Sequence, residues 1–283
     1  MSGQISNIKR QLSSITSTKK LTNAMELVAT AKLQKQRRKM ESNNNYAYNY
    51  HKVLMSAVSS CEIDLSSNRY FIKPKQDKPL YIIVTSNSGL CGSYNMDLLK
   101  YVTKTVSKED KVVAVGNYGI KWLNNNKFNV IREYDRMDDL NPHDINYLIT
   151  DILESYDRED ITSIKIIYTQ YINTLTFKPT TMNLLPIEID TEGYDSQIQL
   201  EPDGQTVIRR LVLLYISSQV FDVILQAQAS EQASRRAAMD SANRNADSLI
   251  DQLRLKYNQA RQAAITQEMN EISAATVTEN ERS

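Results

Sequence analysis

The residues that most suggest chemistry are Ser88-Gly-Leu-Cys-Gly-Ser-Tyr94, which lie after the apolar run LYIIVT at Leu80–Thr85 and before a helical pattern. A glycine turn between a strand and a helix is where α/β proteins hold phosphate. Glycine lets backbone N–H groups approach the anion, and the helix N-terminus favours negative charge. This turn does not complete such a site. A Walker-type loop places Gly-Lys-Ser/Thr at the helix start, whereas Gly92 is followed by Ser93 and Tyr94. The dinucleotide fingerprint needs three glycines, and the turn has only Gly89 and Gly92. The turn therefore reads as structural, with its glycines supplying left-handed backbone and close helix–strand contact. Cys91 lies in the same turn. A nucleophilic cysteine needs a base, and neither His51 nor His143 stands at an informative spacing from it, so Cys91 reads as a small buried side chain. Asp135, Asp138, Asp139, Asp157, Glu159 and Asp160 fall in loop-like sequence and read as solvated. With His51 and His143 the only histidines, a histidine-rich metal site is excluded. No cofactor is expected.

The elements around the turn are set by the placement of breakers. Apart from Gly3, every glycine and proline lies between Pro74 and Gly204. The ends read as helices and the middle as a folded insert. From Gln4 to about Ala57 the pattern is helical, with Ile5, Ile8, Leu12 and Ile15 at steps of three and four. The stripe resumes at Leu21, Met25 and Val28, and a three-residue step between the two groups implies local overwinding. After Gly204 neither breaker occurs again, and Met239, Asn243, Ala246, Ile250, Leu253, Tyr257, Ala260 and Ala264 form a seam for a partner helix. About 70 helical residues would run ~105 Å. Two helices framing one insert pair most simply antiparallel. The far end of the second, from roughly Ala263, is small and apolar, and such a tip calls for an enclosing partner.

Residues 59–78 turn polar and read as a linker. The middle then alternates. Strands are expected at Leu80–Thr85, Lys111–Val115 and Phe128–Ile131, with helices at Tyr94–Val106, Tyr118–Asn125 and Asp144–Tyr156, the last capped near Asn141. Two further strands, Ile161–Tyr171 and Phe177–Ile189, flank a turn at Asn173. The fold class is α/β: an antiparallel coiled coil of N- and C-terminal helices plus an inserted α/β (Rossmann-like) domain with a mostly parallel sheet. The expected organisation is an N-terminal coiled-coil helix at 1–58, a linker at 59–78, an α/β domain at 79–204 and a C-terminal coiled-coil helix at 205–283.

The formal net charge is only +1, but residues 1–40 carry nine basic side chains against one acid, Glu26. A basic helix face is either merely solvated or meets an acidic partner. Nucleic acid is disfavoured because Tyr46, Tyr48 and Tyr50 come after the basic run instead of interleaving with it, and no recognition motif is present. No apolar run approaches the ~20 residues needed to span a bilayer, and the N-terminus lacks a signal-peptide core. Two cysteines, Cys61 and Cys91, fit a reducing compartment. Glu231 and Arg235, four apart on the second helix, form an ion pair worth about 0.3–0.5 kcal/mol if exposed.

Four stretches together resemble one family, the γ subunit of F-type ATP synthases. Thr18–Ala29 with Lys32 is similar to its first helix, Ser88–Asn95 to its Gly-Leu-Cys-Gly turn, and Asn173–Pro179 with Leu184–Pro186 to its hairpin. Ala229–Met239 and Leu255–Glu268 resemble its last helix. The likeness spans essentially the whole chain in order. Asn87-Ser88 stands where the family usually carries Asp-Arg, and Ser93 replaces a usual glycine. The resemblance implies a non-catalytic rotor shaft that couples ion-driven rotation to ATP synthesis or hydrolysis. Its implied partners are a catalytic head of three α and three β subunits, the ε subunit and a membrane c-ring. No direct membrane insertion is implied, only a peripheral place on the cytoplasmic side of a bacterial membrane. By motif position, Met25, Lys32, Glu231, Arg235, Arg261, Gln262 and Thr266 would be subunit-contact or coupling residues. Three other readings remain. One is a similar shaft in a motor coupled to another process. The others are a coiled-coil adaptor without a motor and a nucleotide-dependent enzyme, the last opposed by the missing Lys-Ser/Thr.

Overall fold

The computed structural model describes residues 2–60, 68–74, 77–135, 142–158, 160–189 and 199–280. The chain divides into two compact units, Met1–Val28 with Arg236–Ser283, and Ala29–Arg235. Two helices contribute to both units, α1 (Ser2–Ser60) and α5 (Gly204–Asn280). Neither contains an interior proline, and the only interior glycine of either is Gly3. Each can therefore continue unbroken.

In the first unit the two helices pair antiparallel. Lys19 bonds Asp247 and Thr22 bonds Asn243, while Asn243 Nδ2 donates to Glu26 Oε2 at 2.7 Å. On α5, Met239, Asn243, Ala246 and Ile250 are buried, and Leu253, Tyr257, Ala260 and Ala264 are half-buried. The expected seam on this helix is therefore the observed one. On α1 the expectation needs correction. Ile5, Ile8, Leu12 and Ile15 lie on the seam, but Leu21 and Val28 are 61% and 56% exposed. The seam continues instead through Lys19, Thr22 and Glu26, with Met25 half-buried beside it. Polar residues hold these positions because their side chains bond across the seam, and an apolar periodicity passes over them.

The second unit is an α/β body. Its elements are β1 (Pro79–Val84), α2 (Tyr94–Thr105), β2 (Lys111–Val115), α3 (Asn117–Asn125), β3 (Asn129–Tyr134), α4 (Pro142–Asp157), β4 (Ser163–Tyr171) and β5 (Phe177–Leu185). The sheet order is β3-β2-β1-β4-β5. All pairings are parallel except β4 with β5. Strands such as KVVAV are apolar on both faces because both faces are covered. One core joins the sheet to α4, to Leu54, Met55 and Val58 of α1, and to Ile208, Val212 and Ile216 of α5. The other joins the opposite face to α2 and α3.

Boundaries moved where tertiary partners intervene. The third strand runs Asn129–Tyr134, beyond the expected 128–131. The fifth ends at Leu185, short of Ile189, because the Ile187 N–H donates to Tyr70 O at 2.8 Å instead of to the sheet. The stretch read as linker begins inside α1, and its residues Tyr70 and Phe71 are buried in the core. The expected cap at Asn141 lies outside the described residues.

Candidate functional site

In an open parallel sheet the ligand crevice lies beyond the strand C-termini, where the strand order reverses. Here the chain moves outward from β1 to β2 and β3 and then returns to place β4 on the other side of β1. The crevice therefore lies beyond β1 and β4, flanked by the Ser88–Tyr94 turn. It is filled by α5. Tyr94 Oη donates to Ala227 O at 3.2 Å, Ser230 Oγ to Thr169 O at 3.0 Å, and Ser234 Oγ to Cys91 O at 2.6 Å. Arg235 Nη2 donates to Ser88 Oγ at 3.1 Å and to Gly89 O at 3.3 Å. Residues 227, 230 and 234 are three, four and seven apart and lie on one side of the helix, with Arg235 next to Ser234. Small neighbours make the approach possible. Ala229 and Ala233 are buried against Leu33 of α1, with Met40, Tyr171 and Phe177 around them.

This geometry decides the character of the turn. An anion cradle presents N–H donors, whereas this turn offers carbonyl oxygens to donors on α5. Its left-handed positions are Leu90 and Gly92, with φ of 60° and 58°. Gly89 has open space where a Cβ would stand, so the expectation that both glycines serve the turn holds only for Gly92. The close approach expected there is made one strand away. The Gly119 N–H donates to Thr85 Oγ1 at 2.9 Å, and a Cβ on Gly119 would lie 2.6 Å from that oxygen. Cys91 is buried, as expected from the sequence, and burial pushes its thiol up from its ordinary value. Burial likewise holds the Tyr94 phenol well above its usual range, aided by the nearby Glu231 charge.

Glu231 and Arg235 form the expected pair at 2.6 Å, but inside the body. Their side chains are 3% and 10% exposed, so surface-pair energetics do not apply. The remaining sequence-selected residues are not gathered with them. Lys32 is exposed on α1. In the first unit Met25 is half-buried, while Arg261, Gln262 and Thr266 are exposed, and Thr266 Oγ1 donates to Gln262 O at 2.9 Å. Asp157, read as a solvated loop residue, instead ends α4, accepting from Tyr70 Oη and Arg209 at 2.9 Å each. Asp138, Asp139 and Glu159 lie outside the described residues. Sequence reasoning missed Tyr94, Ser230 and Ser234. The available signal was a helical run of alanines interrupted by serines at a four-residue spacing. Among the described residues, no group of histidine, cysteine and acidic side chains could hold a metal ion.

Fold and site together define a class: a two-helix coil combined with an α/β body whose crevice is occupied by the chain's own helix. The chain belongs to the ATP synthase family, whose model matches residues 4–277. It is 38% identical over 270 residues to the ATP synthase gamma chain of Clostridium acetobutylicum, covering 94% of each chain. To that of Mesoplasma florum it is 36% identical over 273 residues, covering 95% of this chain and 96% of the relative. Among solved structures, its fold matches a chain of the Euglena gracilis mitochondrial ATP synthase OSCP/F1/c-ring assembly, with a TM-score of 0.69 at 17% identity over 98% of this chain and 95% of that one. A chain of the Tetrahymena thermophila mitochondrial ATP synthase central stalk/c-ring matches with a TM-score of 0.62 at 20% identity, over 78% of this chain and 99% of that one. These relatives place the chain among the ATP synthase gamma chains.

Proposed function

We propose that this chain is the shaft that carries rotation between a membrane ring and the catalytic head while making no bond itself. The observation that carries this reading is α5. It is one unbroken helix, held on all sides between Ala227 and Arg235 and left with only a narrow covered seam beyond. Such a helix can be turned at one part and act through another. In this reading the coil lies within a ring of three α and three β subunits, and its angle sets which nucleotide site is open, loose or tight. The exposed Arg261, Gln262 and Thr266 and the basic side chains of α1, including Lys32, face that ring. Met25 is half-buried beside the seam of the same coil, where an added charge would disturb the contact. Glu231 and Arg235 act inside the body, tying α5 to the glycine turn. The body meets the ε subunit and the c-ring. The chain binds no nucleic acid and holds no catalytic site or cofactor. Among the described residues no helix is long and apolar enough to cross a membrane. In this reading the chain is held peripherally, through its partners, on the cytoplasmic side of a bacterial cell membrane.

The test is purification of the tagged chain from its native cell, with partner stoichiometry, ATPase activity and ion pumping measured together. Three α and three β subunits per copy are expected, along with ε and the c-ring. Deletion from Gln262 onward should separate hydrolysis from pumping. A chain recovered alone, or bound only to other helical proteins, would overturn the reading.

A further inference from the structure

At the switch point of the sheet, two helices pass the same strand ends and are held differently. α5 is gripped by directional bonds, with Ser230 Oγ on Thr169 O and Ser234 Oγ on Cys91 O. These two carbonyls belong to β4 and to the turn after β1, so the bonds reach two separate parts of the body. Both serines are buried, at 0% and 5% exposure. α1 meets α5 here through Leu33, against Ala229 and Ala233. An apolar contact resists separation but has little preference for angle, since dispersion and burial are non-directional. A hydrogen bond weakens steeply once its donor swings out of line. The two kinds of contact therefore differ most in their resistance to twist.

We propose that Ser230 and Ser234 are positioning residues that fix the rotational angle of α5 in the body, so that torque enters the coil through α5 while α1 is carried along. This rests on the rotor reading above. It assigns a mechanical role to two residues chosen by neither motif nor charge. Removal of the hydroxyls leaves the helix buried and packed, and still bonded through Ala227 and Arg235, but loosens its angle.

The experiment uses the complete head with this chain, immobilised through the head, with a probe on the α/β body. The readout is the angular spread of the probe during the pause before ATP binding. Ser230→Ala with Ser234→Ala is expected to widen the spread by at least about 1.4-fold, the mark of a halved stiffness once two donors are lost, while ATP hydrolysis continues. Ser230→Thr with Ser234→Thr, which keeps both hydroxyls, is expected to restore the wild-type spread. Leu33→Ala, on the α1 side, is expected to leave it unchanged. An unchanged spread in the alanine double variant would overturn the proposal, as would equal widening in Leu33→Ala or widening in the threonine variant. A wild-type complex that does not rotate would instead overturn the rotor reading, which keeps the two failures distinct.

Discussion

Between Ala227 and Arg235 every residue of α5 is buried, whereas from Arg236 onward burial returns only at every third or fourth position and fades to half-burial after Ile250. One helix thus passes through two environments with different demands. In the first, Gln228, Ser230, Glu231, Gln232, Ser234 and Arg235 are all buried, and a polar group removed from water costs free energy unless it is bonded. The side chains there are chosen by their partners. In the second, one edge must be apolar enough to meet α1 and the remainder stays in solvent, so periodicity alone describes it. A long helix is therefore not uniformly robust. Its sensitivity to substitution depends on its surroundings.

The contrast is sharpest for two ion pairs of identical spacing on this helix. Removing Glu231 leaves the Arg235 charge buried without its carboxylate. Glu231→Ala is expected to cost about 3–5 kcal/mol in urea unfolding, and a loss below about 1 kcal/mol would show that water reaches the site. Next in size is crowding. Ala233→Leu inserts bulk between α5 and Leu33 and is expected to cost about 1–3 kcal/mol. The same change at half-buried Ala260, assayed by thermal melting, should be close to neutral.

Tyr94→Phe removes one buried bond to Ala227 and should cost about 1 kcal/mol at neutral pH. Because burial raises the phenol above its ordinary value, the neutral form stabilises the fold fully below pH ~10, and that stability is lost as pH rises further. Unfolding measured from pH 8 upward should therefore show a steeper alkaline loss in the wild type than in Tyr94→Phe. Equal slopes would remove Tyr94 from the account. Asn243→Leu replaces a polar seam residue that bonds Thr22 and Glu26. Its stability change should stay within about 1 kcal/mol, while cysteine cross-linking should report loosened register. The smallest effect belongs to the exposed pair Arg244–Asp240, with side chains 73% and 46% exposed. Asp240→Ala should change stability by less than about 1 kcal/mol, and less still in high salt. A large effect there would erase the distinction between the two parts of the helix.

Features that obey a period or sit between breakers were legible in the residues alone. The α5 seam from Met239 to Ala264, the β2 run KVVAV and the helix–insert–helix order all belong to that kind. The α1 seam was misread at Leu21 and Val28 because hydropathy counts methylenes, while Lys19 and Thr22 hold their places through bonds to residues more than two hundred positions away. Tyr70, Phe71 and Asp157 looked like loop residues because the core that buries the first two, and the Tyr70 and Arg209 partners of Asp157, are supplied by distant elements. Among the candidate site residues, the pairing of Glu231 with Arg235 could be inferred from their spacing, but its burial could not. The filled crevice was not legible, since its acceptors, Ser88 Oγ apart, are main-chain carbonyls and leave no mark on composition.

Those carbonyls bear on how the chain can change over generations. A point mutation can replace any side chain, but it cannot delete a peptide oxygen. The turn holds Ser234, and in part Arg235, through the oxygens of Cys91 and Gly89, and these survive whatever residues stand there. Ser93 is thus free to drift so long as the loop keeps its path, whereas Ser88 also accepts from Arg235 through Oγ and Asn87 from the Asn117 N–H through Oδ1. The inherited burden falls on the donors of the helix, where a single codon can abolish a contact that no change in the turn could replace.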